Sequence, residues 1–240
     1  MNRKLGSISV SALLLVMIGA SALILNRSGD NDSNGTGIEF DRDAIVEAAS
    51  TIDYDKYQLD TIIPASDDTG GLAEKIEGSK DAKVIIFEYA DYGCNHCAEI
   101  NTTVNRIVSE HEGEVAVVFR TLVLNFPNSV SSASAATAAG NQGYWQIYKN
   151  LLFSNQAEWY YLKGEKRDNY FADLFMTASA GKGDRELFLA DMASEATVKR
   201  LAFNYGAAEK LGIDATPTFR IGGEKVAQSE LESKVEELLK

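Results

Sequence analysis

Cysteine and histidine are both scarce in this chain of 240 residues, with two of each. Two cysteines cannot form a disulfide scaffold, so a chain of this length must fold on an apolar core. A zinc site needs four ligands. Besides Cys94 and Cys97 the chain offers only His96 and His111, and His96 lies between the two cysteines. Positive charge is also in deficit: the net charge is −12 at pH 7. Arg3, Lys4 and Arg27 sit in the first 27 residues with no acidic partner, which leaves 20 basic against 35 acidic residues in the rest. That balance argues against nucleic acid or an anionic membrane surface as a partner.

The long apolar stretch is at the start. An uncharged run from Leu5 to Asn26 is densely apolar from Ile8 to Leu25, close to the roughly 20 residues that span a bilayer. Ala20-Ser21-Ala22 fits a signal-peptidase pattern, but the apolar run continues beyond it. Residues 1–27 are therefore read as a membrane anchor or a signal segment, the anchor favoured, with the remainder outside the cytosol. No cysteine follows the run to carry a lipid. Residues 28–70 read as an acidic linker and helical extension. Within it Asp30, Asp32, Asn34, Gly35 and Asp41 imitate a calcium loop, although Gly37 and an Asp in the last position depart from that pattern. A helix is expected over Ile38 to about Ser50.

Lys83 to Ala90, "KVIIFEYA", is an apolar run of strand length. Ile100, Val104, Ile107 and Val108 then recur at helical spacing, and Val115 to Leu122 is a second apolar strand. Strand, helix and strand at these lengths make a βαβ unit with parallel strands. Helices are expected over Ser129–Phe153, Asn169–Ala180, Asp184–Ser194 and Glu195–Leu211. A hairpin follows around Gly222-Gly223, and then a last helix from Ser229, with Ser229 and Glu232 at capping-box spacing.

Both cysteines sit where the first strand hands over to the helix, in "CNHC". Unpaired amides and the dipole at a helix start favour an anion, and thiols so placed ionise at about 3.5–7.5. Cys94 is expected to face outward as the nucleophile, with Cys97 on the apolar stripe as the buried resolving sulfur. A protonated His96 would favour the same thiolate. A purely structural disulfide closing so short a loop would constrain the unfolded chain little. Glu88 shares a face with Val84, Ile86 and Ala90. It reads equally well as a buried proton-holding carboxyl or as a strand-end residue reaching solvent. Asp91 either caps the helix or is solvated. For Thr216-Pro217 the trans isomer is the default.

These residues resemble the DsbA-like branch of the thioredoxin superfamily. Three segments carry the likeness: "GSKDAKVIIFEYADYGCNHC" (Gly78–Cys97), "SASAATAAGNQGYWQIYKNLLFSNQAEW" (Ser131–Trp159) and "LGIDATPTFRIGG" (Leu211–Gly223). The resemblance implies an α/β thioredoxin fold (βαβ…ββα) over residues 71–240, with an inserted α-helical domain at about 128–200. It implies an attacking Cys94, a resolving Cys97 and an acidic Glu88 beside the buried sulfur. Thr216-Pro217 becomes a cis-proline loop that binds substrate, and the insert a lid whose Trp145, Trp159, Tyr160 and Tyr161 line a client surface or fill its own core. Asn95 stands where many relatives carry proline, within the two residues that set the redox poise.

The expected activity is oxidation of exported proteins by the Cys94–Cys97 pair, with no cofactor beyond that pair. Partners would be reduced or unfolded exported proteins and a membrane protein that reoxidises the enzyme. A reductase or isomerase of the same fold, and a non-catalytic peptide-binding module, are the alternatives.

Overall fold

The structure is a computed structural model that describes residues 37–240. The expected membrane or signal segment, and the calcium-like positions other than Asp41, lie outside the described residues. Among the described residues no helix is long and apolar enough to cross a membrane.

Asp41 is the N-cap of helix α1 (Arg42–Ser50), its Oδ1 accepting the Asp43 N–H at 2.8 Å. The helix starts later than Ile38 because the preceding residues are held elsewhere. Ile38 donates its N–H to Asp168 at 2.6 Å, and the Arg167 guanidinium lies 4.6 Å over the Phe40 ring. Two 3₁₀ turns follow, at Tyr54–Lys56 and Asp67–Thr69. The wholly buried Arg120 ties this irregular segment down, donating to the Leu59 carbonyl, to the Thr61 carbonyl and Tyr89 hydroxyl (2.8 Å each), and to Glu74 at 2.6 Å.

Strand β1 (Lys75–Gly78), which the sequence does not signal, leads into β2 (Val84–Ala90), α2 (Asn95–Glu110) and β3 (Val115–Thr121). Helices α3 (Ser129–Asn141), α4 (Trp145–Ser154), α5 (Gln156–Trp159), α6 (Gly164–Ala178), α7 (Arg185–Met192) and α8 (Glu195–Lys210) come next. Strands β4 (Thr218–Ile221) and β5 (Glu224–Val226) and helix α9 (Leu231–Leu239) close the chain. The single helix expected over Ser129–Phe153 is two. Gly143, at φ 85°, adopts the left-handed conformation that ends α3, and the Tyr144 N–H returns to the Ala139 carbonyl at 2.9 Å. The capping box expected at Ser229 does not form. Gln228–Glu230 is a 3₁₀ turn, and Glu232 is drawn instead to Arg106 on α2.

The sheet order is β1-β3-β2-β4-β5, with β2 and β3 parallel and the other pairs antiparallel. Alternation along the strands feeds two cores. Val84, Ile86, Val115 and Val117 meet Ile100, Val104 and Ile107 of α2 and Val235 of α9. Phe87, Tyr89 and Val118 meet Ala208 of α8. A third core fills the helical block: Tyr148, Phe171, Phe175 and Phe188 pack there, the last two rings stacked at 4.5 Å. The two cysteines belong to this same cluster. The sheet, the parallel βαβ unit and the closing ββα are those of an α/β thioredoxin fold.

Candidate active site

β2 ends at Ala90 and α2 begins at Asn95, so the four residues between them form the turn that presents the cysteines. Cys94 is the N-cap residue of α2, and both cysteines are free thiols. Amides at the start of a helix have no partner within it. Here those of His96 and Cys97 point at the Cys94 sulfur.

The Cys94 thiol is shifted down from the ordinary 9.0 to about 5. The Cys97 thiol donating to it is the main cause, followed, against the opposing effect of burial, by the two amides. Burial pushes the Cys97 thiol the other way, and the adjacent Cys94 adds to that. One sulfur is thus poised as an anion and its neighbour as the proton donor that holds it there. Cys94 is not outward-facing as the sequence suggested. It is 3 % exposed and Cys97 is fully buried. The opposite wall is the turn before β4: the Thr216 carbonyl is 3.4 Å from the Cys94 sulfur, and the Thr216–Pro217 peptide bond is cis rather than the default trans.

The His96 side chain is not directed at the Cys94 sulfur as expected. Its ring is exposed and turned to Glu99, with Nδ1 3.2 Å from the carboxylate. What position 96 brings to the sulfur is its backbone N–H.

Glu88 is buried at 1 % exposure, so the solvent-reaching alternative fails. Burial pushes its carboxyl up to about 7, opposed by Lys149 and reinforced by Glu77, and Oε1 has no hydrogen-bond partner. Lys149, from α4, is itself buried, donating to Glu77 at 2.5 Å and to Asn105 at 2.9 Å. A lysine within the apolar "QIYKNLLF" was the one sequence signal for this cluster. Asp91 is neither a helix cap nor solvated. It is fully buried, accepting from Gly93 at 2.8 Å, from Leu124 at 2.7 Å and from the Ser129 hydroxyl.

The helical block reaches the site directly. Gln156 of α5 donates to the Tyr92 carbonyl at 2.7 Å, and Phe126 and Pro127 close over Gly93 so tightly that a Cβ there would lie 2.7 Å from that of Phe126. Trp145 and Trp159 fill the core, whereas Tyr161 is 78 % exposed. Tyr160 is half-buried and feels the charges of Asp91 and Cys94. The Asn128 amide fixes this turn by donating to the carbonyls of Trp159, Tyr160 and Leu162 at 2.9–3.0 Å. Among the described residues no group of three or more acidic, histidine or cysteine side chains is placed to hold a metal.

An acidic thiol at a helix start, a buried partner thiol and a facing proline loop are the parts of a thiol–disulfide exchange centre on a thioredoxin fold. The chain belongs to the thioredoxin family, whose sequence profile matches residues 72–240. MdbA, a thiol-disulfide oxidoreductase from Corynebacterium diphtheriae, is 25% identical with a TM-score of 0.55, over 80% of this chain and 98% of MdbA. Oxidised BdbD from Bacillus subtilis superposes with a TM-score of 0.60 at 19% identity, over 75% of this chain and 97% of BdbD. The Na(+)/H(+) antiporter NhaA of Herminiimonas arsenicoxydans is 29% identical over 156 residues, 65% of this chain and 23% of the antiporter. The chain spans about a quarter of the length of the curated relatives it matches.

Proposed function

We propose that this chain is a thiol–disulfide oxidoreductase that works outside the cytosol and introduces disulfides into exported proteins. The observation that carries this reading is the Cys94 sulfur, held as an anion at the start of α2 by its neighbour thiol and two amides. Stabilising the thiolate stabilises the reduced enzyme, which makes the disulfide form a stronger oxidant. A client thiolate attacks Cys94 of the Cys94–Cys97 disulfide. The S–S bond breaks, Cys97 leaves and takes up a proton, and a mixed disulfide joins Cys94 to the client. A second client thiolate attacks the client sulfur of that bond and releases Cys94 as a thiolate. Two electrons have then passed from client to enzyme, and the dithiol form described here is the product.

Thr216 and Pro217 face Cys94 and would pair with an extended client segment by strand addition. The buried Glu88 would hold or relay the proton of the leaving sulfur. Reoxidation falls to a membrane partner protein, and the apolar N-terminal segment would keep the enzyme beside it. No cofactor beyond the cysteine pair enters this scheme.

Equilibration with glutathione tests the direction of flux. An oxidase has a reduction potential near the roughly −120 mV of DsbA, whereas a value at or below the roughly −270 mV of thioredoxin makes this chain a reductase instead. Cys94→Ala abolishes oxidation of a reduced client; a Cys94→Ala variant that keeps the full biological activity of the chain identifies a peptide-binding module whose cysteines are incidental.

A further inference from the structure

The residue before the reactive cysteine is the most pliable one in the turn. Gly93 is buried, and a Cβ on it would lie 2.7 Å from that of Phe126 and 3.3 Å from the Pro127 carbonyl oxygen, so a larger residue would have to displace this loop. The same lack of a side chain leaves the Gly93 backbone free to rotate. Cys94, the next residue, needs its extended N-cap conformation (φ −84°, ψ 120°) to keep its sulfur at the amides of His96 and Cys97. The restraint that Gly93 lacks therefore has to come from its surroundings.

It comes from two sides. The peptide unit that joins Tyr92 to Gly93 is held at both ends. Its N–H donates to Asp91 Oδ1 at 2.8 Å, a bond within the turn itself. Its carbonyl accepts from Gln156 Nε2 at 2.7 Å, a bond that arrives from the helical insert, 64 residues further along the chain. The Tyr92 side chain is anchored in the same block. It is fully buried, its hydroxyl accepts from Trp145 Nε1 at 3.1 Å, and its ring lies 5.1 Å from that of Phe153. Rotating the peptide unit breaks both of its hydrogen bonds and leaves its N–H and C=O without partners in the interior.

We propose that Gln156 is a positioning residue for Cys94: by fixing the Tyr92–Gly93 peptide unit from the insert, it keeps the sulfur at the start of α2. The proposal rests on the exchange reading above. It makes the insert a working part of the exchange centre, since one of its side chains holds the backbone that carries the sulfur.

Gln156→Met, which keeps the side-chain length and removes the donor, and Gln156→Ala test this in the full chain. The reduced proteins are titrated by thiolate absorbance, and exchange of the Gly93 amide hydrogen is followed by NMR. In both variants the Cys94 ionisation constant falls on the order of threefold to tenfold, the range that one neutral hydrogen bond can supply, and the Gly93 amide exchanges faster. Gln142→Met is the control. Gln142 also bonds backbone within the insert, donating to the Asp184 carbonyl at 2.9 Å and accepting the Asp184 N–H at 2.8 Å. Its loss lowers the urea midpoint and leaves the Cys94 titration unmoved.

A Cys94 titration unmoved in folded Gln156→Met overturns the proposal, and so does one that Gln142→Met moves as far. The exchange reading fails separately, if the unaltered chain does not oxidise a reduced client, because the titrations involve no client.

Discussion

Replacing Cys97 by alanine separates the two forces that hold Cys94 as an anion. The Cys97 thiol is the largest contributor to the low position of the Cys94 titration, about 5 against the ordinary 9.0. A hydrogen bond to a charged group is worth about 1.5–3 kcal/mol. Since about 1.4 kcal/mol corresponds to one pH unit, Cys97→Ala moves the Cys94 midpoint up by about 1–2 units. The amides of His96 and Cys97 remain in place. The midpoint in the variant therefore settles at about 6–7, still well below an ordinary thiol. Cys97→Ser, which keeps a donor, lies between the variant and the parent. Thiolate absorbance followed against pH, with the alkylation rate as a parallel probe, reads both. A Cys97→Ala midpoint unmoved from about 5 would show that the neighbouring thiol contributes nothing. A midpoint at the ordinary 9.0 would show that the helix start contributes nothing.

His96→Ala leaves the Cys94 titration within a few tenths of a unit, because the exposed ring serves Glu99; His96→Pro, which deletes the amide aimed at the sulfur, raises it by about one unit. Glu88 holds its proton up to about pH 7 in the folded chain against 4.5 when exposed, so its contribution to stability falls as pH rises through that window. Glu88→Gln removes that share, on the order of 3 kcal/mol between the two limits, while the slopes due to Cys94 (stability rising with pH) and Asp91 (stability falling) stay the same in variant and parent. The difference between variant and parent urea midpoints, taken at pH 5 and at 7.5, checks it, and a difference that does not change with pH contradicts it. Lys149→Met strands Glu77 in the interior and costs about 3–5 kcal/mol by chemical denaturation. Adding Glu77→Gln recovers much of that loss, and a single variant as stable as the parent would show that the pair is not a buried ion pair.

The parts of this molecule that were legible in its sequence are local. The runs "KVIIFEYA" and "VAVVFRTL" flank a helix whose apolar positions recur at helical spacing, and such runs leave few alternatives to a βαβ unit. The two cysteines announce their placement at the helix start for the same reason. What escaped detection is carried by contacts distant in sequence. β1 is four residues, two of them charged, and exists because β3 offers an edge. Asp91 looked like a loop residue because Leu124 and Ser129, which bury and bond it, come more than 30 positions later. Lys149 and Glu77 are 72 residues apart. Two local rules failed against tertiary partners. The Ser229–Glu232 capping box lost Glu232 to Arg106, and the His96 ring found Glu99 instead of the sulfur.

The most direct measurement is the titration of Cys94 in the reduced, unaltered chain. Thiolate absorbance rising with a midpoint at about pH 5 is the result required by a sulfur held at the start of α2. A midpoint close to that of a free thiol, about 8.5, would mean that the turn, the amides and the buried neighbour do not activate it.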